Sequence, residues 1–228
     1  MRPLRFLLLL AAIALLAGCG SSGDKKAEKT ATAAPAASAT VAATGCQKVP
    51  AAKGKGAGDL KAPTTRLDAK KTYTAVVKTS CGEFEIALDV KRAPKTAASF
   101  VYLAKQKFFD GTSFHRIVPG FVIQGGDPLG DGTGGPGYTV TEAPPRSLSY
   151  TRGVVAMAKG GTDPPGASGS QFFVVTGEDA GLPPDYALLG KVTKGQEVVD
   201  TIGTTPTDPS TEAPIDPVSI ESITITEK

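Results

Sequence analysis

The 228-residue chain has no Trp and no Asn, one His, two Met and three Cys. Each shortage closes off a kind of chemistry. A metal centre needs several Cys or His at set spacings, and no CxxC or Cys/His pattern occurs. A hydrolytic triad would have to use His115, and there is no GxSxG to supply its nucleophile elbow. Long apolar runs are also missing. The longest, Phe6 to Ala17, holds about 12 residues; at roughly 1.5 Å each it reaches about 18 Å, against a hydrocarbon core of roughly 30 Å. The lack of Asn, with the wealth of Ala and Gly, fits a GC-rich genome such as an actinobacterium's.

What is present is unevenly spread. Residues 73–228 hold eight of the nine Phe and all five Tyr, whereas 20–72 are almost devoid of large apolar side chains. Only the later segment can bury a core, and about 155 residues suit one domain. Charge divides the same way. Residues 20–72 carry ten Lys or Arg against four Asp or Glu, and 73–228 carry thirteen against eighteen. The net charge of +3 therefore reflects a basic linker and is no argument for nucleic-acid binding.

The first residues read as a leader. Arg2 and Arg5 precede the apolar run, which ends Leu16-Ala17-Gly18-Cys19. That sequence is similar to the bacterial lipobox, where the signal is cut before a Cys that is then acylated. The expectation is a signal peptide over 1–18, a lipidated Cys19, and a lipid anchor on the extracytoplasmic face of the cell membrane. Residues 19–72, rich in Ala, Thr, Lys, Gly and Pro, are expected to be a disordered linker, because they cannot offset their ordering entropy by burial. If Cys19 is lipidated, Cys46 and Cys81 remain as a pair, and a disulfide between them is reasonable outside the cytoplasm.

From Tyr73 onward the pattern is mostly β. Strands are expected at 73–79, 83–89, 113–118, 121–124, 153–158, 171–176, 186–192 and 218–226. Pro94 opens a helix whose stripe is Ala97, Phe100, Val101 and Ala104, with Gly111 beyond its end; Gln196 to Ile202 is a second. Short strands, Gly/Pro-rich turns and two helices point to an antiparallel barrel. Two motifs mislead. Gly130, Gly132 and Gly135 satisfy GxGxxG but are followed by Pro136 and Gly137 in place of a helix. Asp127 to Gly132 starts like a calcium loop, but Leu129 and Tyr138 stand where oxygen ligands are needed. Within "SFHRIVPGF", alternation places Phe114 and Arg116 on one face and His115 on the other, as a hydrogen-bonded structural residue.

The stretch "FHRIVPGFVIQGGD" (Phe114–Asp127) resembles the cyclophilins, and the resemblance continues in "GTGGPGY", "GVVAMA", "GSQFFV" and "LLGKV" at nearly the family's spacing across 73–228. It implies a closed eight-stranded antiparallel barrel, mainly β, capped by two helices. It also implies a cofactor-independent, metal-free peptidyl-prolyl cis/trans isomerase acting on Pro-containing polypeptides. Arg116 matches the catalytic arginine. Phe121, Val122, Phe173 and Leu182 match the walls of the proline pocket, and Gln124 matches the glutamine that bonds substrate backbone. Lys159 and Gly160 fall on the segment that pairs with an extended peptide, Gln171 borders the groove, and Tyr186 lies at its rim. Gly181 and Tyr186 stand where many members carry Trp and His, so cyclosporin is expected to bind weakly. The loop between Met157 and Gln171 is about three residues longer than the common form.

The residue types fit the reaction. Rotation about an X–Pro bond faces a barrier of about 18–20 kcal/mol and takes roughly tens to hundreds of seconds unaided. No bond is broken, so an apolar slot and one fixed cationic donor suffice. A proline-binding chaperone or interaction module on the same barrel is the alternative, although it would have no use for Arg116. A structural envelope lipoprotein would need no pocket. No oligomerisation signal is visible, so a monomer is expected.

Overall fold

The computed structural model of the protein describes residues 45–228. The leader, Cys19 and the linker as far as residue 44 lie outside the described residues.

The elements run in the order β1 (Tyr73–Thr79), β2 (Gly82–Leu88), α1 (Pro94–Lys105), β3 (Thr112–Val118), β4 (Val122–Asp127), β5 (Val140–Thr141), β6 (Val154–Met157), β7 (Ala167–Ser168), β8 (Phe172–Val175), β9 (Leu188–Lys194), α2 (Gln196–Gly203) and β10 (Ser219–Glu227). Eight of the strands close an antiparallel barrel in the order β1-β10-β3-β4-β8-β6-β9-β2, the architecture expected from the sequence. β5 and β7 pair separately. At two residues each they are too short for any periodicity to reveal.

The barrel has two apolar layers. Phe84, Ile86, Phe114, Ile117, Ile123, Val155, Phe172, Val174 and Leu189 point inward and are sealed by buried residues of α1 and α2, among them Phe100, Leu103, Val199 and Ile202. A second cluster, with Val122, Tyr150, Val154, Ala156, Phe173, Val175 and Leu188, covers the outer face of β4, β8, β6 and β9. With both faces covered, every residue of β6 and β8 is buried, which is why "VVAM" and "FFVV" read as unbroken apolar runs.

Four expectations change. First, α1 ends at Lys105, and Lys107 takes a left-handed φ of 55° that turns the chain back. Phe109 then drops into the core against Phe100 and Phe172, with ring centroids 4.8 and 6.0 Å away. Second, β3 is bulged. Phe114 pairs with Gly125, but Arg116 pairs with Gln124, so His115 is an extra residue and the phase slips. Phe114 and Ile117 both enter the core, and Arg116 faces outward with Gln124; it does not share a face with Phe114. Third, both ring nitrogens of His115 are enclosed without a hydrogen-bond partner, and burial lowers the imidazole pKa against the opposing pull of Asp127.

The fourth change concerns residues 45–72, which have no regular secondary structure but are not a free tether. Cys46 is bonded to Cys81 at the β1–β2 turn, and the Gln47 N–H donates to Ser80 O at 2.7 Å. Leu60 and Leu67 rest on the barrel core. Two leucines and one buried cystine supply burial, and a few backbone hydrogen bonds add to it, so the segment offsets its ordering entropy despite its composition.

Candidate active site

The register of the barrel lines up the site. Arg116 on β3 pairs with Gln124 on β4, Gln124 with Phe173 on β8, and Phe173 with Ala156 on β6. These four side chains form one row across four adjacent strands on the outer face. Val122 and Val175 form a parallel row two residues away. Phe121 precedes β4, and Leu182 and Tyr186 come from the loop before β9. Together Arg116, Phe121, Val122, Gln124, Ala158, Lys159, Phe173, Leu182 and Tyr186 enclose a pocket of ≈ 220 Å³. Its base is apolar and rigid: Val122 is 2% and Phe173 4% exposed.

Tyr150 fixes the aromatic side of this pocket. It is wholly buried, donates to Tyr186 O at 2.6 Å and accepts from the Tyr186 N–H at 3.0 Å. Its ring lies 6.1 Å from Phe173 and 6.0 Å from Tyr186. Burial pushes the phenol pKa up to about 12. Lys159 turns inward: its ammonium reaches Asp185 at 3.5 Å and Asp163 O at 3.1 Å, and sits 5.7 Å over the Tyr186 ring.

Polar side chains on the other side form a chain. Glu212 accepts from Arg116 Nε at 2.5 Å, and an Arg116 terminal nitrogen lies 3.5 Å from Gln124 Oε1. Gln124 Nε2 donates to Gln171 Oε1 at 3.1 Å, and Gln171 Nε2 donates to the carbonyls of Gly132 and Gly134, each at 2.9 Å. Gln171 thus stands outside the pocket proper. It lines a neighbouring hollow of ≈ 490 Å³, whose far wall is the glycine-rich run Gly132–Thr139. The formal GxGxxG glycines supply part of this wall. Gly160 also lines the hollow, but its N–H is committed to Asp163 Oδ2 at 2.8 Å and closes a turn.

Of the residues expected from sequence, the structure gathers Arg116, Phe121, Val122, Gln124, Lys159, Phe173, Leu182 and Tyr186 around one pocket, with Gln171 and Gly160 beside the next. Glu212 and Tyr150 were not anticipated. Glu212 lies in a Pro/Thr/Asp-rich loop, and the one cue was Asp208-x-Ser210, which forms an Asx turn: Asp208 accepts from the Ser210 N–H at 2.7 Å and the Ser210 hydroxyl at 2.5 Å. The loop is clipped to β3 by the Ile117 N–H, which donates to Glu212 O at 2.8 Å.

Comparison with known proteins agrees with this geometry. A family model described as cyclophilin type peptidyl-prolyl cis-trans isomerase/CLD matches residues 74–225. Peptidyl-prolyl cis-trans isomerase B of Streptomyces anulatus is 41% identical over 169 residues, which cover 66% of this chain and 95% of that protein. A crystal structure of a cyclophilin type peptidyl-prolyl cis-trans isomerase from Cryptosporidium parvum matches with TM-score 0.63 and 33% identity, over 68% of this chain and 98% of that one. The same isomerase solved in the presence of the dipeptide Ala-Pro matches with TM-score 0.63 and 32% identity, over 67% and 98%.

Proposed function

The chain belongs to the family of cyclophilin-type peptidyl-prolyl cis-trans isomerases and is an enzyme of that class; from this premise we propose that it turns X–Pro bonds of exported polypeptides with Arg116 as the electrostatic donor. The pocket between Phe121, Val122, Phe173 and Leu182 takes the prolyl ring and holds it while the preceding carbonyl swings. As the amide twists, resonance is lost and the lone pair returns to the imide nitrogen. The Arg116 guanidinium donates to it from the pocket edge, and Gln124 holds the substrate backbone. Neither nucleophile nor base takes part. The observation that carries this reading is the placement of Arg116: one edge of its guanidinium is bound to Glu212 and the side chain lines the apolar pocket. A donor held in advance needs no reorganisation as the bond twists.

Arg116→Ala is expected to lose roughly 10²–10³ in kcat/KM on a short X–Pro peptide, with little change in thermal midpoint. Arg116→Lys stays poor, because a point charge does not reproduce the planar fork. Near-normal turnover by Arg116→Ala, with Pro-peptides still bound, would make the chain a proline-binding module whose catalysis is incidental.

The setting is part of the proposal. Leu16-Ala17-Gly18-Cys19 supports acylation of Cys19 and anchoring on the outer side of the cytoplasmic membrane, and the Cys46–Cys81 bond supports an oxidising compartment. Cys19→Ala should leave the protein unprocessed or free of membranes; unchanged fractionation and migration would sink the anchor. Weak cyclosporin binding is part of the same reading, because Gly181 offers the drug no side chain; its φ of 62° is left-handed and the space around it is open. A Gly181→Trp variant that binds the drug no better than wild type would remove this position from the contact.

A further inference from the structure

The far wall of the ≈ 490 Å³ hollow is a run of glycines with no strand or helix of its own. Such a run loses more conformational entropy on ordering than any other, yet its shape decides what the hollow accepts. From within the domain it is held by Asp127, which accepts from the N–H groups of Leu129, Asp131 and Gly132, and by Gln171 on the carbonyls of Gly132 and Gly134. These contacts stop at Gly134. Tyr138 is held at its hydroxyl by Ser99, 3.0 Å away, but the backbone between, at Gly135 and Pro136, is held by the segment before β1. The Gly58 N–H donates to Gly135 O and the Leu60 N–H to Pro136 O, each at 2.9 Å; one turn earlier, the Lys55 N–H donates to Pro128 O at 2.8 Å.

The fit between the two segments is tight at the backbone. A Cβ on Gly58 would stand 2.8 Å from the Pro136 backbone, and one on Gly137, where φ is +91°, only 2.6 Å from Gly58 O. Glycine on both sides is what allows the chains to touch. The segment is fastened at both ends: Cys46 is bonded to Cys81, and Leu60 rests on the barrel core.

We propose that residues 46–60 form a disulfide-fastened strap that sets the position of the Gly135–Tyr138 wall, and so determines how the enzyme recognises peptide residues flanking the proline. The inference rests on the isomerase reading of the groove. Gly58 and Leu60 are positioning residues and touch no substrate. Their effect belongs to substrates long enough to reach the hollow and is absent for a minimal X–Pro peptide whose contacts end in the proline pocket.

The test compares the full chain with Gly58→Val, with Ala57→Val at the exposed neighbouring position, and with Cys46→Ser/Cys81→Ser. Gly58→Val is expected to lower kcat/KM on peptides extended on either side of the proline by about five- to tenfold, the size of one lost positioning contact. It should leave the minimal peptide and the thermal midpoint nearly unchanged, and Ala57→Val should match wild type throughout. The cysteine variant should show the same split on top of a lower midpoint. Equal loss on both peptides, or no loss on either, would overturn the proposal. Amide exchange decides it independently of turnover. In the wild type, Gly58 and Leu60, whose N–H groups donate to Gly135 O and Pro136 O, should be protected relative to Ala57, and that protection should fall in Gly58→Val. Exchange of Gly58 and Leu60 at the Ala57 rate would overturn the strap even if every peptide is turned over. Failure of the wild type to turn over any peptide would instead overturn the isomerase reading.

Discussion

The floor of the groove and its far wall are built by different means. The floor is a row of strand residues, Arg116, Gln124, Phe173 and Ala156, flanked in sequence by Ile117, Ile123, Phe172, Val174, Val155 and Met157 of the barrel core. Shifting one of them means shifting a strand, which the ladder on either side resists. The wall, Gly132–Thr139, has no ladder. Its position depends on side chains and on a segment from outside the domain, through Asp127, Gln171, the Tyr138–Ser99 hydroxyl contact at 3.0 Å, and Gly58 with Leu60. On the proposed function, rotation about the proline needs closely held atoms, and a strand-built floor suits that. Recognition of varied flanking residues tolerates a surface set by loops.

The sharpest way to break the contrast is at Asp127, the last residue of β4 and the first support of the wall. Its carboxylate is 1% exposed and accepts three backbone N–H groups. Asp127→Ala empties a buried site and leaves those donors without their partner; Asp131 and Gly132 are exposed and turn to water, so the full penalty of about 1–3 kcal/mol falls on Leu129 alone. A loss of about 2–4 kcal/mol is expected, seen in chemical denaturation as a lower midpoint at unchanged slope. Turnover of the minimal peptide by the fraction that remains folded should survive. A stability change under about 1 kcal/mol would show that the wall does not depend on this residue.

The phenols test the same contrast through pH. Tyr150 lies beneath the floor with its pKa pushed to about 12 by burial; Tyr138 lies in the wall with its pKa raised for the same reason. In both, the folded state holds its proton more tightly than an unfolded chain at about 10. Their contribution is complete below pH of about 10 and is lost as pH rises through the folded value, for Tyr150 between about 10 and 12. Tyr150→Phe should flatten the alkaline fall in stability and, by stranding Tyr186 N–H and O, cost about 1–2 kcal/mol at neutral pH. Tyr138→Phe, which loses one hydroxyl contact at a half-buried position, should cost less on both counts. An alkaline transition identical in wild type and Tyr150→Phe would remove the floor phenol from the account.

The floor was legible in the sequence and the wall was not. Strands write their burial into the chain, so the alternation of Phe84, Ile86 and Leu88 and the runs around Val155 and Phe173 disclosed the barrel, and the Phe114–Asp127 stretch disclosed the pocket. The bulge at His115 was hidden, because one inserted residue leaves no mark on composition while reversing every later face. The roles of the glycine run and of residues 45–60 were hidden for a related reason. Where the two meet they are joined by backbone-to-backbone contacts, which any residue with an N–H can make, so "KGKGAGDL" looks like a tether until Gly135 and Pro136 are seen opposite it. The Gly132–Tyr138 motif was recognised as a resemblance, but its use as a wall followed only from its hydrogen bonds.

Glu212 blurs the contrast, because here the floor itself leans on a loop. Its left-handed φ of 59° costs roughly 1–2 kcal/mol for a residue with a side chain. The cost is met by the turn around it: the Glu212 N–H donates to Asp208 O at 2.8 Å, and its carbonyl accepts from Ile117. The result is a carboxylate on Arg116 Nε, with Arg116 34% and Glu212 42% exposed at the side chain. A pair that open to water adds little stability. Its effect falls on orientation, since binding one edge of the guanidinium limits rotation of the plane that faces the pocket. Glu212→Gln keeps an acceptor and removes the charge; it should lower kcat about twofold to fivefold, within 1 kcal/mol, with KM and midpoint unchanged. Glu212→Ala leaves the guanidinium only its 3.5 Å contact with Gln124 and should cost more than Glu212→Gln, and raising salt should move the wild type toward Glu212→Gln while leaving Glu212→Ala unaffected. Equal activity in all three proteins would mean that the strand alone positions Arg116, and the division between a strand-built floor and a loop-built wall would then hold without exception.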